Sequence, residues 1–166
     1  MTGVGKTTIG TLLSARMGWK FEDADDYHSE ENRRKMAAGM PLTDADRGAW
    51  LDALHERMLQ YRQIRQSAIL ACSALTQQYR ELLAGGFATS EMRFVYLHAP
   101  TALIKERIKS RRHPYMNPVL LDSQMATLEV PAESWHINVA GTPEESAEEI
   151  LARLREAGLL AAETKK

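Results

Sequence analysis

The first residues of the chain have the types and the spacing of a phosphate-binding loop. Residues 1–8 read Met-Thr-Gly-Val-Gly-Lys-Thr-Thr, which ends on the closing triplet of the P-loop pattern G-x-x-x-x-G-K-[ST]. In such a loop, backbone N–H groups surround a phosphate. The lysine reaches the β- and γ-phosphates, and the hydroxyl residue after it is a ligand of Mg²⁺. The residues predicted to contact the nucleotide here are Gly3, Val4, Gly5, Lys6, Thr7 and Thr8.

The motif is incomplete at its front. Its opening glycine would stand one position before Met1, and the strand that leads into such a loop is missing from the sequence. Apolar residues from Ile9 to Met17 recur at helical spacing, so we expect a helix after the loop. Because a bare Gly-Lys-Thr triplet also occurs by chance, the triplet alone leaves phosphate binding open. We expect either a natural start further upstream or the loss of part of the site.

Composition narrows the class of protein. The chain has 166 residues, 44% of them hydrophobic, and a net charge of −1. These values predict one domain with a sizeable core, and the balanced charge argues against nucleic acid or a membrane surface as the main partner. The single cysteine, Cys72, excludes an internal disulfide framework and is typical of a reducing compartment. We therefore expect a cytoplasmic protein with no membrane span and no leader peptide.

Four short apolar runs alternate with helical patterns. The runs that we predict to be strands cover residues 19–22, 68–72, 94–97 and 136–139. N-cap signals at Ser29, Thr43 and Thr142 predict the starts of three helices between and after them. This alternation predicts a doubly wound α/β domain with a parallel sheet. Its ligand crevice would lie at the carboxyl ends of the strands, where Asp23 and Asp25 follow the first run.

Several segments along the chain carry a second, more specific pattern. They are Gly18-Trp19-Lys20-Phe21, Asp23-Ala24-Asp25-Asp26-Tyr27-His28, Glu31-Asn32-Arg33-Arg34-Lys35-Met36, Gly39-Met40-Pro41-Leu42-Thr43-Asp44-Ala45-Asp46-Arg47, Trp50-Leu51, Cys72-Ser73-Ala74-Leu75, Tyr79-Arg80-Glu81-Leu82-Leu83, and Thr127-Leu128-Glu129 with Pro131. Together they resemble the gluconokinases, small P-loop sugar-acid kinases related to the shikimate kinases. The resemblance extends from residue 1 to about residue 155. The D-x-D-D-x-H and P-L-x-D-x-D-R-x-x-W segments are specific to this family, whereas the P-loop is not.

The resemblance implies a three-layer P-loop kinase fold with a parallel sheet, of which the first central strand is missing from this sequence. It implies one kinase domain over residues 1–160, with a lid around 107–117 and a flexible tail over 161–166. The implied activity is ATP-dependent phosphorylation of D-gluconate to 6-phospho-D-gluconate, with ATP and Mg²⁺ required. The resemblance also suggests a homodimer, which no sequence feature tests.

The resemblance further implies the roles of individual residues. Asp25 would orient and deprotonate the acceptor hydroxyl, while Asp23 would lie near Mg²⁺ together with Thr7. An arginine would hold the acceptor carboxylate, because a planar guanidinium matches that group. In the lid, Arg107 and Arg111 would contact the nucleotide. The implied acceptor-binding residues are Asp25, His28, Lys35, Arg47 and Arg80. The implied catalytic residues are Lys6, Asp25 and Arg111.

Two departures from the family pattern, besides the incomplete loop, concern catalysis. Thr76 stands where the family usually has lysine, and residues 113–115 read His-Pro-Tyr where the lid usually has Gly-His-Phe. Three interpretations therefore stay open: an active gluconokinase with an upstream start, a kinase for a related sugar acid, and a truncated or non-catalytic paralogue that acts as a binding protein. We also expect low stability of this chain alone, because a missing central strand leaves its neighbours with unpaired edges.

Overall fold

The computed structural model describes residues 1–110 and 118–160. Within these residues, seven helices and four strands alternate along the chain. In order they are α1 (Lys6–Met17), β1 (Lys20–Asp23), a 3₁₀ turn (Ala24–Tyr27), α2 (Glu30–Ala37), α3 (Asp44–Gln63), β2 (Ala68–Ala71), α4 (Gln77–Ala84), β3 (Val95–His98), α5 (Thr101–Ser110), α6 (Pro118–Thr127), β4 (Trp135–Asn138) and α7 (Pro143–Glu156).

The strands form two parallel pairs rather than one continuous sheet. β1 pairs with β2, with Lys20 opposite Ala68, and β3 pairs with β4, with Val95 opposite Trp135. In the described part of the chain, no ladder joins β2 to β3. A cavity of about 610 Å³ separates them and is lined by apolar side chains of both strands. The cavity therefore lies between the two strand pairs, at the place where the sequence predicts a gap in the sheet.

Helices cover both faces of the strands. On one face α1 packs on α7, and on the other α3 packs on α4 and on the 3₁₀ turn. The first interface buries Ile9 and Leu13 of α1 with Ile150, Leu151 and Leu154 of α7. The second buries Trp50, Leu51 and Leu54 of α3 with Tyr79 and Leu83 of α4. The predicted α/β kinase fold with parallel strands is confirmed, and Trp50 is a core residue as expected.

Local signals set the helix starts where the sequence predicts them. Ser29 accepts a hydrogen bond from the N–H of Asn32 at 3.2 Å, and Thr43 and Thr142 each form a capping box. The predicted tail, and the lid beyond residue 110, lie outside the described residues. Among the helices of residues 1–110 and 118–160, none is long and apolar enough to cross a bilayer.

Candidate active site

The first residues form a turn that leads directly into α1. Gly3 and Gly5 have φ angles of 81° and 95°, in the left-handed region that glycine adopts without strain. Gly5 is the N-cap of α1 and has no side chain to satisfy the N–H groups of the first helical turn, which starts at Lys6. A Cβ atom at Gly3 would lie 2.8 Å from Cγ1 of Ile108. The turn therefore presents backbone donors and the positive end of a helix to an anion.

The end of β1 meets the start of α1 through two candidate metal ligands. The hydroxyl of Thr7 donates to Oδ2 of Asp23 at 2.8 Å. Oδ1 of Asp23 accepts from the N–H of Asp25 at 3.1 Å, which caps the 3₁₀ turn. A hydroxyl and a carboxylate are oxygen donors that suit Mg²⁺. Among the described residues, no group of three or more His, Cys, Asp or Glu side chains could by itself hold a metal ion. Mg²⁺ usually keeps several waters and binds through one or two carboxylates together with substrate phosphates.

Charged groups from three segments converge near the end of β2. The Nζ of Lys6 donates to the carbonyl oxygen of Met1 at 2.9 Å. Burial raises the pKa of the Cys72 thiol to about 12, and the charges of Lys6, Asp25 and Arg47 are close enough to affect it. The phosphate loop, the aspartate turn and α3 thus contribute charges to one region.

A buried histidine packs beside the candidate catalytic aspartate. The ring of His28 is stacked on that of Trp50, with centroids 4.5 Å apart, and its Nε2 lies 4.0 Å from Oδ1 of Asp25. Burial, together with the nearby charge of Arg47, lowers the pKa of His28 to about 4, so the ring is neutral at neutral pH. Trp50 donates from Nε1 to the carbonyl oxygen of Ala24 at 2.7 Å. These contacts hold the turn that carries Asp25 against α3.

A second set of contacts holds the other end of this turn. The carboxylate of Glu22 accepts hydrogen bonds from Arg57 at 2.7 and 3.0 Å, from Tyr27 at 3.0 Å, and from Tyr61. Although burial opposes ionisation, the hydrogen bonds from Tyr61, Arg57 and Tyr27 lower the pKa of Glu22. An ionised Glu22 therefore ties the last residue of the turn to α3.

Two of the predicted acceptor-binding residues have partners elsewhere. Lys35 pairs with Asp46 at 2.7 Å, which joins α2 to the start of α3. That hydrogen bond, together with those from Thr43, lowers the pKa of Asp46 to about 2. Arg80 donates from Nη1 to the carbonyl oxygen of Ala74 at 3.1 Å and borders the cavity between the strand pairs. The role of both residues in acceptor binding stays a prediction.

A polar cavity of about 370 Å³ lies between α3, α4 and α6 and is bordered by Arg47. The guanidinium of Arg47 lies 5.7 Å from the ring centroid of Tyr79. Tyr79 donates a hydrogen bond to Asp44. Burial, together with this hydrogen bond, raises the pKa of Tyr79 to about 12. Cavities of roughly 300–1,000 Å³ are typical of small-molecule sites. The cavity can hold a small anion with several hydroxyl groups beside Arg47.

Comparison with known proteins gives the family. The family model described as shikimate kinase matches residues 2–155. The chain is 43% identical over 147 residues to a protein of Mus musculus named probable gluconokinase, and the match covers 80% of each chain. The chain belongs to the gluconokinase family. The resemblance and the kinase class predicted from the sequence are therefore confirmed.

Solved structures agree with this assignment. This member of the gluconokinase family is 37% identical to a sugar kinase from Janibacter sp. HTCC2649. The two structures agree with a TM-score of 0.86, over 98% of this chain and 95% of the other. It is 35% identical to a gluconokinase from Sinorhizobium meliloti 1021, with a TM-score of 0.79 over 93% and 89% of the two chains.

In this gluconokinase-family chain, a further contact joins the end of α5 to the loop before α7. Arg107 donates from Nη2 to the carbonyl oxygen of Gly141 at 3.4 Å, so the end of α5 lies against the loop before α7. Arg111 lies outside the described residues, and its predicted role stays a prediction.

Sequence reasoning missed Ser123 and Gln124, which border the polar cavity. The available signal was the run of three polar residues, Asp122 to Gln124, within the mostly apolar sequence of α6.

Proposed function

We propose that the chain transfers the γ-phosphoryl group of ATP to D-gluconate and forms 6-phospho-D-gluconate. The observation that carries the proposal is the 2.8 Å hydrogen bond between Thr7 and Asp23, because it joins the phosphate loop to the turn that carries Asp25. The names of the relatives support D-gluconate as the acceptor. A neutral His28 and Arg47, which borders the polar cavity and donates from Nη2 to the carbonyl oxygen of Leu42 at 3.5 Å, support an acidic, polar acceptor.

The nucleotide phosphates bind at the N-terminus of α1. Backbone N–H groups from Gly3 onward surround them, and Lys6 leaves its contact with the Met1 carbonyl to neutralise their charge. Thr7 and Asp23 would hold Mg²⁺, which would supply positive charge to the phosphate oxygens. Arg107, at the end of α5, approaches the same phosphates, and the predicted role of Arg111 stays a prediction.

The acceptor hydroxyl lies between Asp25 and the γ-phosphate. Its oxygen attacks the γ-phosphorus while the bond to the β–γ bridging oxygen breaks and ADP leaves with that electron pair. The hydroxyl proton passes to the carboxylate of Asp25, which later releases it to solvent. Arg47 binds the acceptor carboxylate, and His28 holds the turn in place through its stack on Trp50. Lys35 and Arg80 remain further candidates for the acceptor.

A second candidate function is binding of the two ligands with little turnover. Two observations favour it. The ammonium of Lys6 is already bound by the Met1 carbonyl at 2.9 Å. No ladder joins β2 to β3 in the described part of the chain, so the strand pairs beside the phosphate loop are less firmly held. This candidate differs from the first in a single result, which is ligand binding without formation of a phosphate ester.

A cytoplasmic location is part of the proposal, because the reaction consumes ATP and the single cysteine, Cys72, fits a reducing compartment. A homodimer is also compatible with it and has no role in the chemistry described above.

The experiment is a coupled assay of ADP release with D-gluconate, shikimate and other sugar acids as acceptors. We expect turnover with D-gluconate, and its loss by at least about 100-fold in Asp25→Asn, because a general base contributes roughly 10²–10⁴-fold. Asp52→Asn, which changes an exposed aspartate of α3, is the matched control and keeps full activity. A preference for another acid would support the related-kinase interpretation. Binding without turnover would support the second candidate function.

A further inference from the structure

Gln124 on α6 touches two parts of the site at once. Its Oε1 accepts a hydrogen bond from the backbone N–H of Thr2 in the phosphate loop at 2.7 Å. The same side chain borders the polar cavity of about 370 Å³ beside Arg47. The residue is half-buried, so its contacts with the protein are made in a partly dehydrated place.

Chemistry fixes which end of the carboxamide faces Thr2. A backbone N–H can only donate, so the oxygen of Gln124 must face Thr2 and the NH₂ group must face away from it. Within residues 1–110 and 118–160, no group accepts a hydrogen bond from this NH₂. The hydroxyl of the adjacent Ser123 also has no hydrogen bond to these residues. As far as the described residues go, two adjacent side chains of α6 therefore have donors that another molecule can use.

The cavity combines these donors with one cation. The guanidinium of Arg47 matches a carboxylate, while the NH₂ of Gln124 and the hydroxyl of Ser123 match hydroxyl oxygens. The carboxylate of Asp44 on the same wall already accepts from Tyr79. The set suits an open-chain polyhydroxy acid better than an apolar or a cationic ligand.

We propose that Gln124 links the acceptor to the phosphate loop: its NH₂ donates to a hydroxyl oxygen of the acceptor while its oxygen holds the N–H of Thr2. The inference rests on the proposed function, since the acceptor is D-gluconate. Acceptor binding fixes the carboxamide, and the fixed carboxamide holds the loop in the shape that binds the nucleotide phosphates. Because coupling between two sites is reciprocal, the nucleotide raises the affinity for the acceptor by the same factor.

The experiment measures the binding of D-gluconate and of a non-hydrolysable ATP analogue by calorimetry, each alone and in the presence of the other. Gln124→Glu keeps an oxygen for Thr2, removes the donors and places a negative charge toward the acceptor. We expect the Kd of Gln124→Glu for D-gluconate to rise roughly 10- to 100-fold, because loss of a hydrogen bond in a partly buried site weakens binding by about this factor. Its affinity for the nucleotide should change little. Gln124→Met removes both hydrogen bonds, so affinity for both ligands falls and the coupling between them is lost.

Gln78→Glu is the matched control, because Gln78 is exposed on α4. It should bind both ligands as the unchanged chain does, and thermal unfolding of each variant confirms that it is folded. If the unchanged chain binds D-gluconate and Gln124→Glu binds it equally well, the inference is wrong and the proposed function stands. If Gln124→Met retains the coupling, the link through Gln124 is also wrong. If the unchanged chain does not bind D-gluconate, both the inference and the proposed function are overturned.

Discussion

Replacing His28 by phenylalanine should make the stability of the protein less sensitive to acid. His28 is only 5% exposed, and in the described part of the chain its Nδ1 has no hydrogen-bond partner. Its ring is stacked on Trp50, and the positive charges of Arg47 and Arg33 add to the effect of burial, which together lower its pKa from 6.5 to about 4. The carboxylate of Asp25 lies 4.0 Å from Nε2 and does not reverse this.

The sign and the size of the effect follow from proton linkage. The unfolded chain binds a proton at His28 near pH 6.5, whereas the folded chain binds it only near pH 4. Above about pH 7 the ring is neutral in both states and does not lower the free energy of unfolding. As the pH falls from about 6.5 to about 4, protonation favours the unfolded chain and the free energy of unfolding decreases. The two pKa values limit the loss to about 3 kcal/mol in total and about 2 kcal/mol at pH 5. Screening by solvent reduces the expected loss at pH 5 to about 1–2 kcal/mol.

Urea unfolding at about pH 7.5 and about pH 5 measures this difference. His28→Phe preserves an aromatic ring against Trp50 and cannot titrate. Between the higher and the lower pH, the free energy of unfolding of the variant should therefore fall by about 1–2 kcal/mol less than that of the unchanged chain. Titratable groups that do not contact His28 contribute equally to both proteins and cancel. His136→Gln, at an exposed histidine, is the control and should keep the original pH dependence. An unchanged pH dependence in His28→Phe would refute the reasoning.

Three further predictions concern the phosphate loop and the sheet. Thr7→Val removes the proposed metal ligand and the hydroxyl that donates to Asp23, so the Mg²⁺-dependent part of ATP affinity should fall by about tenfold, measured by titration with and without Mg²⁺. An unchanged Mg²⁺ dependence would contradict this. Gly3→Ala should lower the free energy of unfolding by about 1–3 kcal/mol, because φ is positive and the new Cβ would contact Ile108, whereas Gly48→Ala, in open space on α3, should not lower it. Adding an apolar strand of about five residues before the first residue should raise the unfolding temperature. Burial of each large side chain stabilises the fold by about 1.5–3 kcal/mol, whereas ordering each added residue costs about 1–2 kcal/mol. An equally long Gly-Ser extension should not raise it.

The regular elements could be predicted because their signals are local. The run at residues 68–72 became β2 over Ala68–Ala71, and the other strands shifted by one residue at their ends. The capping boxes at Thr43 and Thr142 close within four residues of sequence, so pattern and structure agree there. The approach of Thr7 to Asp23 also follows from the order of the elements, because both lie at the carboxyl edge of the strands.

The remaining contacts depend on packing between distant segments. Gln124 and Thr2 are 122 residues apart in the sequence, and neither belongs to a motif that indicates their hydrogen bond. The bond between Glu22 and Arg57 likewise joins a strand to a helix across 35 residues. Lys35 illustrates the converse. Its motif position suggested a ligand-binding role, but only the folded helices show that Asp46 is its partner.

The central claim is that this chain phosphorylates D-gluconate, and the identity of the product tests it most directly. ³¹P NMR of D-gluconate incubated with ATP, Mg²⁺ and the protein distinguishes a phosphate ester at the terminal hydroxyl from free phosphate. The measurement is made on the chain alone and on the chain carrying the apolar strand and the opening glycine of the loop. We expect the 6-phosphate ester from the extended chain, with less from the chain alone and none from Asp25→Asn. A folded extended chain that binds both ligands and forms no ester would contradict the claim.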